Sequence, residues 1–99
     1  MGQMKLDVVA HLHAIAGEES SVREVLTGLV SPTRAEDGCL RYDLFEDLAD
    51  PCRFTFLEEW TSLDALKAHS QSTHITQGRA RLEGKMREAN WVQTLNQIA

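Results

Sequence analysis

Leu6, Val8, Ala10 and Leu12 alternate with Asp7, Val9, His11 and His13, the period of two that a half-buried strand imposes. Ala16-Gly17 ends that run. Glu18 and Glu19 stand where acidic residues complement a helix N-terminus, and Val22, Val25, Leu26, Leu29 and Val30 follow at helical spacing. Ser31-Pro32 reads as an interruption, with Ser31 capping a further turn through Thr33-Arg34-Ala35-Glu36 before Asp37-Gly38 stops it. Residues 39–46 predict a second strand, with Leu40, Tyr42 and Leu44 on one face and Phe45 on the other. Asp47, Asp50 and Pro51 are turn formers. Beyond them a third strand is expected over 53–60, with Phe54, Phe56, Glu58 and Trp60 on one face and Thr55, Leu57 and Glu59 on the other.

Thr61-Ser62-Leu63-Asp64 fits a capping-box variant in which Asp64 reaches back to the cap. The helix it opens presents Leu63, Ala65, Leu66 and His69 on one side. Ser70-Gln71-Ser72 predicts a break, with Ser72 capping a further helix whose inward stripe is Ile75, Gly78, Arg79, Leu82 and Met86. Residues 91–95 read as a last strand. The order β-α-β-β-α-β is that of a ferredoxin-like α+β sandwich, an antiparallel sheet with its helices on one face. Val9, Phe45, Leu57 and Val92 are expected on the other face. An apolar patch there needs a cover in so small a core, and a second copy of the chain, making a homodimer, is the expected one.

The 99 residues make one domain without linkers, repeats or low-complexity runs, and Met1-Gly2-Gln3 read as disordered or an expression remnant. A net charge of −5 argues against nucleic acid as a partner. The one basic cluster, Arg79, Arg81, Lys85 and Arg87, is interleaved with Glu83 and Glu88, as on a solvated helix face. Nothing approaches the roughly 20 apolar residues of a membrane span, and no signal-peptide core is evident. Two cysteines, Cys39 and Cys52, make no disulfide framework; reduced thiols and a cytoplasmic location are expected.

Glu58 is the residue most in need of explanation, because a carboxylate on an apolar strand face must be paired, protonated or facing a cavity. Arg34, Arg41 and Arg53 are the candidate ion-pair partners. Unpaired, Glu58 would have a raised pKa and could act as a general base. Trp60 shares its face, and His69 lies on the helix beyond the adjoining cap. Tyr42 is a further hydrogen-bonding group on the apolar side. His69 and His74 are separated by a helix break, so they are not the i, i+4 pair that chelation on one helix requires; His11 and His13 lack a third ligand. No metal site is expected. Nor is there a glycine-rich phosphate cradle, a dinucleotide or flavin fingerprint, or a nucleophile elbow, so no cofactor is expected.

Residues 56–69, Phe-Leu-Glu-Glu-Trp-Thr-Ser-Leu-Asp-Ala-Leu-Lys-Ala-His, together with 35–42, Ala-Glu-Asp-Gly-Cys-Leu-Arg-Tyr, resemble the antibiotic biosynthesis monooxygenase family over most of the chain. The resemblance implies a dimeric α+β barrel in which the Trp at this position, here Trp60, lines a substrate cavity. Glu58, Trp60, His69 and His74 match the Glu-x-Trp and His-x4-His pattern of the quinol monooxygenase and autoinducer-processing branch. Phe56 and Leu66 stand where polyketide-tailoring members carry Asn and Tyr, and Ala10 or His11 where haem-degrading members carry Asn. The implied activity is a cofactor-independent monooxygenase that joins a small aromatic substrate, quinol-like or phenolic, to molecular oxygen. Trp60, Phe54, Phe56, Tyr42 and His74 would bind the ring, and His69 or Glu58 would take a proton. Isomerisation of a small phosphorylated signal molecule and non-catalytic small-molecule binding remain open beside it.

Overall fold

The computed structural model describes residues 5–99; Met1-Gly2-Gln3 lie outside them. The elements in order are β1 (Leu6–His13), α1 (Glu19–Arg34), β2 (Cys39–Glu46), β3 (Arg53–Trp60), α2 (Leu63–Ser70), α3 (Thr73–Leu82) and β4 (Trp91–Leu95). The sheet order is β2-β3-β1-β4, and each neighbouring pair is antiparallel. This is the ferredoxin-like sandwich, with the second helical stretch divided in two at the expected break. Val8, Ala10, Leu12, Phe54, Phe56 and Trp60 pack from the sheet against Val22, Val25 and Leu26 of α1. Among the described residues no helix is long and apolar enough to cross a membrane.

Several local expectations are corrected. α1 runs without interruption through Pro32 to Arg34. Its last turn is held from outside: Arg34 Nε donates to the Tyr42 carbonyl at 3.0 Å and Nη2 to Asp43 Oδ1 at 2.8 Å. These bonds offset the ladder bond that a proline cannot make. At the start of β2 the register shifts between Cys39 and Arg41. Leu40 is the extra residue of that bulge and is exposed, so it leaves the face that Tyr42 and Leu44 share.

Ser62 caps α2 as expected, its Oγ accepting from the Ala65 amide at 3.1 Å, but Asp64 makes no return bond among the described residues. Ser72 stands at the N-cap of α3 as expected, but its side chain makes no cap bond; its hydroxyl donates back to the His69 carbonyl at 2.7 Å. Met86 lies beyond α3, in an isolated bridge to Ala14.

The last correction concerns the face of β4. Val92 pairs with Ala10, which puts it on the helix side. Trp91, Gln93 and Leu95 pair with His11, Val9 and Asp7 and take the outer face instead. Trp91 is 61% exposed and stacks on His11 at 5.0 Å. The helix-free face therefore carries Val9, Leu57, Phe45, Trp91 and Leu95.

Gly38 lets the start of β2 approach α2. Its φ is +84°, and a Cβ there would lie 2.6 Å from Ala65 Cβ and 2.7 Å from Thr61 Oγ1. The Thr61 amide also donates to the Gly38 carbonyl at 2.9 Å. Gly38→Ala combines a left-handed backbone with overpacking and should lower the unfolding free energy by roughly 2–4 kcal/mol. Gly28 is exposed inside α1 with nothing within 4 Å of its missing Cβ. Gly28→Ala should raise stability by up to about 1 kcal/mol. Urea unfolding of both variants measures the contrast.

Candidate active site

β3 projects Phe54, Phe56, Glu58 and Trp60 to the helix side, all four buried. Glu58 sits in register between Tyr42 of β2 and Val8 of β1, which surrounds its carboxyl with apolar walls. Among the described residues no guanidinium reaches it. Arg34 is engaged by Tyr42 and Asp43, Arg41 by Asp43 and Glu59, and Arg53 by Asp50. Its hydrogen-bond partner is the Trp60 indole, whose Nε1 donates to Glu58 Oε1 at 2.9 Å. Burial raises the Glu58 pKa to about 7, against the pull of the Trp60 bond and with a further push from the Glu36 charge. The carboxyl is thus the unpaired case, poised where a proton can be taken or given at neutral pH.

His69 ends the buried side of α2, 7% exposed. Its ring lies 4.7 Å from that of Trp60 and meets Tyr42 edge-on at 5.4 Å. His69 Nδ1 is 2.7 Å from Glu36 Oε2, and His74 Nε2 is 2.9 Å from the same oxygen. The helix break brings the two rings together: Ser72, bonded back to His69, also stands 3.3 Å from His74 Nε2. His74, in the first turn of α3, thereby returns beside the last turn of α2. The two histidines are not on one helix, yet they share one carboxylate.

An ionised carboxylate only accepts, so each imidazole donates to Glu36. For His69 this puts the proton on Nδ1 and leaves Nε2 as a lone-pair nitrogen. Burial lowers the His69 pKa; Glu36 opposes, while His74 and Arg79 add to the lowering. The ring is neutral at pH 7 and can accept a proton.

A cavity of about 130 Å³ lies between the sheet and the helices. Tyr42, Phe56, Glu58, His69 and Arg79 contribute to its wall, with Val8, Leu66 and Val92 among the apolar residues. Tyr42 stacks on Phe56 at 4.5 Å. Burial, then the Glu58 charge, push the Tyr42 phenol well above its ordinary value against an opposing pull from Thr33. The Thr33 hydroxyl has no hydrogen-bond partner among the described residues, so no full bond joins the two. Tyr42 is a permanent donor at neutral pH.

Three residues expected to bind a ring do not line this cavity. Trp60 is fully buried behind Glu58 and His69. Phe54 belongs to the core, and His74 stands behind Glu36. Glu36 itself was missed, being expected only as part of the turn that Asp37-Gly38 stops. Its partners lie 33 and 38 residues further along the chain, a pairing no local pattern announces. His11 and His13 are held apart by separate partners, Gln93 at 3.1 Å and Glu88 at 2.8 Å. Cys39 and Cys52 are free thiols raised by burial, a setting unlike that of a nucleophile.

The family model described as antibiotic biosynthesis monooxygenase matches residues 6–81. The chain belongs to the antibiotic biosynthesis monooxygenase family. Rv0793 of Mycobacterium tuberculosis, a candidate monooxygenase, is 37% identical over 76% of this chain and 73% of its own. The crystal structure of PA3566 from Pseudomonas aeruginosa superposes with a TM-score of 0.93 at 29% identity, covering 100% of this chain and 99% of the other. A solved antibiotic biosynthesis monooxygenase gives 0.90 at 32% identity, over 95% of this chain and 99% of its own. These likenesses extend over the sheet and helices that carry Glu58 and His69 in this member of the family.

With a folded pKa near 7 against an ordinary 4.5, Glu58 binds more protons in the folded state than in the unfolded one. Its stabilising contribution is therefore present at pH 4.5 and fades as pH rises through 7. Glu58→Gln keeps an acceptor for Trp60 and removes the titration. Between pH 4 and 8 the unfolding free energy of the wild type should fall by about 3 kcal/mol relative to that variant. Paired urea titrations at the two pH values measure it.

Proposed function

We propose that the chain is a cofactor-independent monooxygenase acting on a quinol-like or phenolic small molecule, with His69 as the base. The observation behind this reading is the anchored ring: Nδ1 is bonded to Glu36, and the residue lines a cavity that also holds Glu58 and Tyr42. His69 Nε2 removes a hydroxyl proton, which makes the ring an electron-rich anion able to reduce oxygen. Tyr42 donates to the second oxygen of the ring, and Phe56 flanks its face. Oxygen adds at a ring carbon; protonated Glu58 supplies the proton as the O–O bond breaks and water leaves. A quinol and O2 thus yield a hydroxyquinone and water, with no external reductant.

Trp60 acts as a positioning residue in this scheme, holding Glu58 through Nε1 and packing on His69. The cavity, about 130 Å³, is below the roughly 300 Å³ at which ligand pockets usually begin. A one-ring compound is therefore favoured over a two-ring one.

Oxygen uptake with reduced benzoquinone and reduced naphthoquinone, in metal-free buffer and corrected for autoxidation, tests the reading. His69→Ala should lower kcat by about 10²–10⁴-fold, the usual span of a lost general base, and Trp60→Phe by less. Equal rates in folded His69→Ala and wild type would reject the site. The isomerase alternative predicts turnover of a phosphorylated substrate without oxygen. It is disfavoured because Arg79, the one guanidinium on the cavity, donates Nη1 to the Ser70 carbonyl at 2.9 Å.

The apolar outer face supports a homodimer through the sheets, since Val9, Leu57, Phe45, Trp91 and Leu95 together form a patch too extended for a small wet sheet. Light scattering at micromolar concentration should give twice the 11.1 kDa chain mass, and Phe45→Lys with Leu95→Lys should halve it. A wild type of 11.1 kDa would contradict the dimer. Two free thiols suit a reducing compartment, and the cytoplasm is the proposed location.

A further inference from the structure

Glu36 Oε2, His69 Nδ1 and His74 Nε2 all lie within 4.8 Å of one another. Two imidazoles and one carboxylate form a donor set that zinc and other divalent first-row metals accept, with positions left for water. The break between α2 and α3 makes this possible, because each helix supplies one ring and the loop before β2 supplies the carboxylate. An ion held at about 2.0–2.2 Å from each atom in tetrahedral geometry would set neighbouring ligands roughly 3.4 Å apart. The present separations from Glu36 are 2.7 and 2.9 Å, so these two pairs must open by about 0.5–0.7 Å. Glu36 and His74 have that room, with side chains 16% and 23% exposed. Glu36 also has no lysine or arginine partner among the described residues; only the two rings compensate its charge.

We propose that Glu36, His69 and His74 bind one divalent transition-metal ion of the zinc class in exchange for the hydrogen bonds they now share, each ring's proton moving to its other nitrogen. The exchange has a consequence for the cavity. An imidazole that coordinates through Nδ1 carries its proton on Nε2. A bound ion therefore turns the lone-pair nitrogen of His69 into a donor, and the base is silenced while the ion stays. Binding rests on the three ligands alone; the effect on turnover also rests on the proposed role of His69.

Tag-free protein titrated with Co²⁺, read by its visible d–d absorption, and with Zn²⁺, read by calorimetry, tests the proposal. One ion per chain is expected. His74→Ala and Glu36→Gln, both at positions with solvent access, should weaken binding by at least about 100-fold, since even outer-shell changes cost roughly 10–100-fold. His11→Gln should leave it unchanged. No saturable uptake by the folded wild type, or uptake that His74→Ala leaves intact, would overturn the site. Stoichiometric Zn²⁺ should abolish oxygen uptake with quinol; a zinc-loaded protein that still turns over would overturn the proton exchange. Failure of metal-free protein to oxidise quinols would count against the proposed reaction alone, because the Co²⁺ spectrum reports the site independently.

Discussion

One carboxylate oxygen, Glu36 Oε2, is shared by two imidazole nitrogens at 2.7 and 2.9 Å, and the chemistry proposed for this fold depends on that sharing. The bond orients the His69 ring, selects its tautomer and ties the loop before β2 to both α2 and α3. Without it, burial would still keep His69 neutral, but nothing in its surroundings would choose which nitrogen carries the proton. The helix break at Gln71-Ser72 serves the same end. It costs α2 a continuous ladder and places a second ring against the carboxylate.

The cavity side of the site obeys a different constraint, the cost of keeping charge in an apolar space. Glu58 and His69 have opposite charges when ionised, and burial shifts both toward neutrality, raising one pKa and lowering the other. Burial thus brings Glu58 to about 7 and lowers His69, with no arginine paired to Glu58 among the described residues. Trp60 links them through one hydrogen bond and one ring contact. Trp60 therefore lies behind Glu58 and His69 and is not part of the cavity wall. Tyr42 and Phe56 are the phenyl rings on that wall, beside aliphatic residues such as Val8, Leu66 and Val92.

Much of this was legible in the chain. Period-two alternation located β1 and β3, and the spacing of Val22 to Val30 located α1; these patterns are local, and burial on one side enforces them. The placement of Glu58 on the apolar side of β3 followed from the same parity. What escaped was set by tertiary contacts. Pro32 stays helical because Arg34 is anchored on β2. One bulged residue removes Leu40 from its expected face. A one-residue difference in β4 exchanges Val92 for Trp91 on the outer face, as expected where a short strand gives little periodicity. Glu36 shows the same limit, for its partners come from another part of the chain.

The central claim is that Glu36 holds His69 as the Nδ1–H tautomer with Nε2 bare. Long-range ¹H–¹⁵N correlation NMR of the imidazole nitrogens, on metal-free protein at neutral pH, reports it directly. The account requires a protonated Nδ1 and an unprotonated Nε2 for His69, with Glu36→Leu releasing the ring to a mixture of tautomers. A proton on Nε2, or a doubly protonated ring, in the metal-free wild type would contradict it.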